Sequence, residues 1–283
     1  MKTGLVLEGG ASRTIFTCGI LDALLDNDIY INYVAGASAG ISYGVSYLSK
    51  QPRRNHNITA NFMHDKRYMG MRNMFKRDNR SYYGLDFVFE EIPSRLLPYD
   101  FEEYRRSGEN GFGAVTNIET GKTEYMRVKA DDRKWTVLRA SCALPILFRP
   151  IKINGSYYMD GGITDSIPFK YALDSGLDKV IVILTRPRGY VKKSEKIISA
   201  VRLAYRKYPM LAEALKTRHI MYNREIAELE ALEQEGKALV LAPEKDYGIH
   251  RTENDPKILL PFEQEGYDYG IRNLDRIKEF IEN

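Results

Sequence analysis

The chain has 283 residues, 43% of them hydrophobic and 28% charged, with a net charge of +4. This composition excludes a disordered, fibrous or membrane-embedded polypeptide, and so small a positive surplus does not argue for nucleic acid. The length suits one large α/β domain with an appendage, because single cores stop growing at roughly 250 to 300 residues.

The first apolar run, Leu5-Val6-Leu7, stops at Gly9-Gly10. It is shorter than the roughly 7 to 15 apolar residues of a signal-peptide core and reads as a strand. No stretch approaches the roughly 20 apolar residues of a membrane-spanning helix, so a soluble, cytoplasmic chain is expected. From Thr14 onward, Ile15, Phe16, Gly19, Ile20, Ala23 and Leu24 recur at helical spacing. A second β-type run, Tyr33-Val34-Ala35, enters Gly36-Ala37-Ser38-Ala39-Gly40, and Ile41, Val45 and Leu48 continue a helical face beyond it. Two successive strand, glycine turn, helix units describe βαβα, hence a mainly parallel sheet with helices on its faces.

Residues 51–108 lack strong β runs and mix aromatics with basic residues, which suits helices and loops inserted over a site. Phe112–Thr116 and Glu124–Val128 then form a hairpin. Trp135–Ala143 is helical and ends before Pro145. Pro150–Ile153 and Tyr157–Met159 form a second hairpin that delivers Asp160-Gly161-Gly162 at its end. Lys179–Leu184 reads as a central parallel strand. Beyond residue 190 amphipathic helices carry Leu211, Leu215, Ile226, Leu229 and Leu232, followed by a strand at Ala238–Leu241 and a helix from about Gly266 to Ile281. The expected division is residues 1–190 as a three-layer α/β/α unit, with 191–283 a mostly helical region packed on it.

Two cysteines, Cys18 and Cys142, are too few for a disulfide framework in so long a chain; two buried free thiols in a reducing compartment are expected. Positive charge gathers in residues 50–80, which include Arg53, Arg54, Arg72 and Arg77, and in residues 186–218, which include Lys192, Lys193 and Arg218. Most such runs are solvated faces; an anionic lipid surface is the partner they would suit otherwise.

Chemistry concentrates at Ser38. A serine hydroxyl needs a base to take its proton and a sharp turn to present it. Gly36 and Gly40 relieve crowding at a strand-to-helix elbow, and the helix N-terminus aims the Ala39 N–H at a developing oxyanion. The neighbouring turn, Glu8-Gly9-Gly10-Ala11-Ser12-Arg13, opens on the same sheet edge. No nucleotide-binding glycine pattern can be written over it, which favours an oxyanion hole over a phosphate loop. The four histidines, His56, His64, His219 and His250, have no motif-like surroundings, whereas Asp160 precedes two glycines that imply a close backbone approach. Asp160 is the better base, with a Ser38, Asp160, His250 triad as the rival.

Three motifs, the glycine turn at 8–13, the Ser38 elbow and Asp160-Gly161-Gly162, in this order and spacing, resemble those of the patatin-like phospholipases over about residues 3 to 187. Arg139–Pro145, Tyr158–Gly162 and Ser166-Ile167-Pro168 look similar too, and the tail resembles the helical extension of an uncharacterised bacterial branch. The resemblance implies a Ser38-Asp160 dyad without histidine and an acyl-enzyme intermediate. It also implies an oxyanion hole from Gly9, Gly10, Ala11 and Ala39, supported by Arg13, Gly36, Gly40, Gly161 and Gly162, with no metal or cofactor. The substrate it implies is a lipid or lysolipid ester. The chain departs from the family pattern at Ala11, where a third glycine is usual, and at Thr14, where another follows Arg13. Those departures keep two alternatives open: a non-catalytic acyl binder with a distorted hole, and an acyltransferase.

Overall fold

The computed structural model describes residues 1–76 and 80–283. Side-chain alternation in its strands sets the architecture. In β1 (Thr3–Leu7), Leu5 and Leu7 enter one apolar cluster and Val6 another. The same split divides Ile181 and Ile183 from Val180 and Val182 in β7 (Lys179–Ile183), and Leu239 and Leu241 from Ala238 and Val240 in β8 (Ala238–Leu241). A strand buried on both faces must lie between two layers of other elements.

Those layers are helical. One face packs against α1 (Ile15–Asp26), α2 (Ala39–Leu48) and α9 (Pro256–Arg272), through Phe16, Ile41 and Phe262 among others. The opposite face packs against α6 (Phe169–Asp174) and α8 (Pro209–Gln234), through Phe169, Ala172, Tyr222 and Leu229. The remaining helices are α3 (Arg54–Phe62), α4 (Phe101–Arg106), α5 (Thr136–Ser141), α7 (Ile198–Ala204) and α10 (Leu274–Glu282), with a π-helical segment at Phe87–Leu96 inside the 51–108 insertion. The fold is the three-layer α/β/α arrangement anticipated, with a mainly parallel sheet and a helical C-terminal region that also donates β8 to the sheet.

In the sheet, β8, β7, β1, β2 (Val34–Ala37) and β3 (Gly111–Asn117) lie side by side and parallel. β4 (Lys122–Arg127) covers one edge of β3 antiparallel, pairing along Phe112–Asn117. The other edge of β3 is therefore shared. β2 occupies its first half and ends with Ala37 opposite Ala114; β6 (Ser156–Asp160), paired with β5 (Ile151–Ile153), comes from the opposite direction and ends with Asp160 opposite Val115. Two strands thus terminate head to head on one ruler, at consecutive residues.

The C-terminal helix begins earlier than its periodicity suggests. Asp255 accepts the Lys257 N–H at 2.9 Å and Pro256 takes the first helical position, both ordinary start signals. The helix breaks at Asn273, between α9 and α10. α9 lies so close to α1 that a Cβ on Gly19 would stand 2.0 Å from the Glu263 carbonyl oxygen, and one on Gly266 2.1 Å from that of Phe16.

That close contact buries Asp22 and Glu263. Burial, with the nearby Asp22 charge, pushes the Glu263 carboxyl from its usual value up to about 8. Its neighbour His56, with Nδ1 3.1 Å from Oε2, is itself lowered by burial and by Arg53. The folded chain therefore keeps a proton that the unfolded chain releases, and this contribution to stability is lost as pH rises toward 8. Glu263→Gln should melt like the wild type at pH 5 and increasingly above it toward pH 8, as read by calorimetry. A constant difference across that range would contradict the assignment.

Candidate active site

Ser38 follows β2 directly and precedes the first residue of α2. Its backbone takes φ 53° and ψ −128°, a strained combination for a residue with a side chain. Two hydrogen bonds hold it there: the Ser38 N–H donates to Ser141 Oγ at 2.8 Å, and the Ser141 hydroxyl donates to the Ala114 carbonyl at 2.7 Å. The ruler strand β3 thereby grips the elbow through α5. Gly36 and Gly40 sit where backbones press together, a Cβ on Gly40 falling 2.5 Å from the Leu7 oxygen.

At the end of β6, Asp160 meets that elbow. The Ser38 hydroxyl donates to Asp160 Oδ2 at 2.7 Å, the Gly162 N–H donates to Oδ1 at 2.8 Å, and the Asp160 N–H donates to the Ala143 carbonyl at 2.9 Å. Asp160 is 2% exposed. Burial raises its pKa, against the hydrogen bond from Ser38, the charge of Arg218, the N–H of Gly162 and the charge of Arg251. A carboxylate so placed is a stronger base than one in water.

The histidines take no part. His250 is exposed, and among the described residues none of the four contacts Ser38 or Asp160. The rival triad has no geometric support.

The glycine turn needs one correction. The Gly9 N–H, expected among the oxyanion donors, already donates to the Ser166 carbonyl at 3.2 Å. Among the described residues, the N–H groups of Gly10, Ala11 and Ala39 have no acceptor, and Ala11 and Ala39 line the same pocket as Ser38. The turn is anchored from below: Glu8, 2% exposed, accepts from the Thr185 N–H and hydroxyl and from the Tyr222 hydroxyl. Arg13 is buried beneath the turn, held down to about 10 by burial and by Arg186; it lines a small cleft beside Thr185 and Phe262 rather than the Ser38 pocket.

Ala11 has φ 50°, the left-handed region that costs a residue with a Cβ about 1 to 2 kcal/mol relative to glycine. Alanine tolerates it; a β-branched residue does not. Ala11→Gly should preserve or raise the rate at which Ser38 reacts with a fluorophosphonate. Ala11→Val should lower that rate by roughly a hundredfold, the scale of losing one oxyanion donor. Equal rates in both variants would remove Ala11 from the hole.

The pocket beside Ser38 is walled mainly by the 51–108 insertion and by α2, with Ile58, Met63, Val88, Phe89, Leu138 and Phe148 on its surface. Cys142 also faces it, its Sγ 3.2 Å from Ser42 Oγ and its thiol pushed up to about 12 by burial; Cys18 is fully buried. Three side chains important to this geometry had no assigned role in the sequence reading: Ser141, Cys142 and Arg54. Arg54 and Arg218, counted in the two basic segments, are in fact buried, Arg218 donating to the Gly162 carbonyl and pairing with Glu195. Arg77 of the first segment lies outside the described residues. Among those residues no helix is long and apolar enough to cross a membrane, and no cluster of His, Cys, Asp or Glu is disposed to hold a metal ion.

The family model described as patatin-like phospholipase matches residues 5–173, and a second, described as a domain of unknown function (DUF6363), matches residues 208–282. Curated relatives include the uncharacterised protein YjjU of Escherichia coli (strain K12), 28% identical over 204 residues, covering 66% of this chain and 52% of the relative. Lysophospholipase nte1 of Emericella nidulans is 25% identical over 297 residues, covering 97% of this chain and 18% of the relative. The chain thus spans about half the length of the first relative and less than a fifth of the second. Among solved structures, VipD from Legionella pneumophila aligns over 97% of this chain and 67% of its own, at 16% identity and a TM-score of 0.46.

Proposed function

The chain belongs to the patatin-like phospholipase family, and from that premise we propose that it is a serine acyl-ester hydrolase acting on lipid or lysolipid esters through a Ser38-Asp160 dyad. The observation that carries this reading is the 2.7 Å hydrogen bond from the Ser38 hydroxyl, which lines an apolar pocket, to a buried carboxylate. Asp160 takes the Ser38 proton as Oγ attacks the ester carbonyl. The N–H groups of Gly10, Ala11 and Ala39 receive the oxyanion. Collapse of the tetrahedral intermediate transfers that proton to the departing alcohol and leaves an acyl group on Ser38. A water molecule, deprotonated by Asp160, then releases the acid and regenerates the serine.

The apolar pocket suits an acyl chain, which gains about 0.8 kcal/mol for each buried methylene. The insertion also presents Phe75 and Met71, 83% and 61% exposed, beside the basic Arg72 and Lys76. An apolar and cationic tip is what contact with an anionic lipid surface requires. A fluorophosphonate probe should label wild type at Ser38 and fail with Ser38→Ala, and esters should be hydrolysed in parallel. A folded wild type that neither reacts nor hydrolyses any ester would leave the pocket as that of an acyl-binding protein.

A further inference from the structure

The Ser38 pocket follows one side of α2. Ser38, Ala39, Ser42, Tyr43 and Ser46 line it, a helical stripe that begins at the elbow and climbs about 12 Å at 1.5 Å per residue. At the far end the Ser46 hydroxyl donates to Asn55 Oδ1 at 3.0 Å, and Asn55 and Arg54 join the lining. Elsewhere the wall is almost entirely apolar. Among its described residues Arg54 is the one charged side chain, and no carboxylate faces it.

Arg54 is only 5% exposed. Its Nη1 donates to the Leu97 and Pro98 carbonyls at 2.6 and 2.9 Å, and the guanidinium lies 5.3 Å from the Tyr99 ring centre. Among the described residues Nε and Nη2 have no acceptor, and neither is sealed from solvent space. Burying a cation is costly unless it is paired and hydrogen-bonded, and two carbonyls with a ring face meet only part of that need. Arg54 therefore holds the Leu97–Tyr99 turn with one nitrogen and leaves the three N–H donors of Nε and Nη2 unused, on a side chain that lines the cavity; a guanidinium with that fork free recognises a carboxylate or phosphate.

We propose that the far end of the Ser38 pocket is an anion subsite, where Arg54 binds a carboxylate or phosphate oxygen carried by the ester substrate at a distance from its scissile carbonyl. The proposal rests on the hydrolase reading above and narrows its substrate to esters with a second, anionic end. An acyl chain terminating in a carboxylate and a lysolipid phosphate are the two sources of that group.

The test uses the full chain, with wild type, Arg54→Gln and Arg54→Lys checked for equal folding by circular dichroism. Two substrate pairs are compared through kcat/KM: nitrophenyl monoesters of α,ω-dicarboxylic acids against alkanoates of equal length, and lysophosphatidate against the matching monoacylglycerol. The expected result is that wild type prefers the anionic member of one pair, and that Arg54→Gln reduces this preference by roughly tenfold to a hundredfold, the scale of a charged hydrogen bond. Arg54→Lys should retain part of it. The pair that responds identifies the source of the anion. No preference in either pair, or a preference untouched by Arg54→Gln, overturns the subsite. In parallel, the melting temperature is followed against a free α,ω-dicarboxylate and against inorganic phosphate, which reads the subsite without turnover. Stabilisation of wild type but not of Arg54→Gln in a protein that hydrolyses nothing would retain the subsite and overturn the hydrolase reading. No shift with either probe, in a protein that hydrolyses nothing, overturns both.

Discussion

Replacing Asp160 by Asn should lower ester turnover by roughly a thousandfold, within the range attributed to a positioned general base, while His250→Ala leaves it unchanged. Asn keeps the shape of the side chain and can still accept the Gly162 N–H through Oδ1, but the amide then turns an NH2 donor toward Ser38 and cannot take its proton. The pH profile should carry the same signature. As the proposed base, Asp160 would act only when ionised, so turnover should fall as pH drops through a pKa that burial has raised above that of an ordinary aspartate. Stability moves the other way. A folded-state pKa raised above the unfolded value means that the native chain holds a proton the unfolded chain has lost, so stability falls as pH rises through that window. The inactive Asp160→Asn protein should therefore be more resistant to denaturant at neutral pH than the wild type, a trade of stability for function. Full activity in Asp160→Asn together with its loss in His250→Ala would restore the triad.

The second large effect is structural. A Cβ on Gly161 would stand 2.0 Å from the Ala114 carbonyl oxygen and 2.4 Å from its carbon, both backbone atoms of β3 that cannot turn aside. Gly161→Ala should cost about 3 kcal/mol or more, at or beyond the upper end of ordinary overpacking. The denaturation midpoint measures that cost. Whatever folds should also label more slowly at Ser38, because pushing the end of β6 off β3 carries Asp160 away from its hydrogen bond. Gly162→Ala is the control. Its nearest neighbours are side-chain atoms, Asp160 Oδ1 at 3.0 Å and Arg218 Nη2 at 3.5 Å, so it should perturb the carboxylate with a much smaller loss of stability.

These two residues show what local reading could and could not reach. Ser38 and Asp160 stood out because each needs an unusual local sequence, an elbow flanked by small residues and a strand end followed by glycines. The strands β1, β7 and β8 were legible for a related reason: a run buried on both faces is apolar throughout. The start of α9 was signalled by Asp255-Pro256, although apolar spacing drew the eye to its second half. Gly9 was different. Nothing nearby indicates that its N–H would be taken by Ser166, which arrives from more than 150 residues away. Arg54 was misread for the same reason. In sequence it sits among basic residues that suit a solvated face, and only the packing of α3 against the Leu97–Tyr99 turn buries it.

The head-to-head meeting of β2 and β6 on β3 has a consequence for the order of assembly. A chain made from its N-terminus presents the serine elbow more than a hundred residues before the strand bearing its partner exists. β2, β3 and the helix that grips the elbow can associate first, and the proposed nucleophile then stands without a base. Under the proposed dyad, reactivity would begin only when β6 adds to the vacant half of the β3 edge, and the rate at which Ser38 becomes labelled during refolding would time the arrival of that last strand.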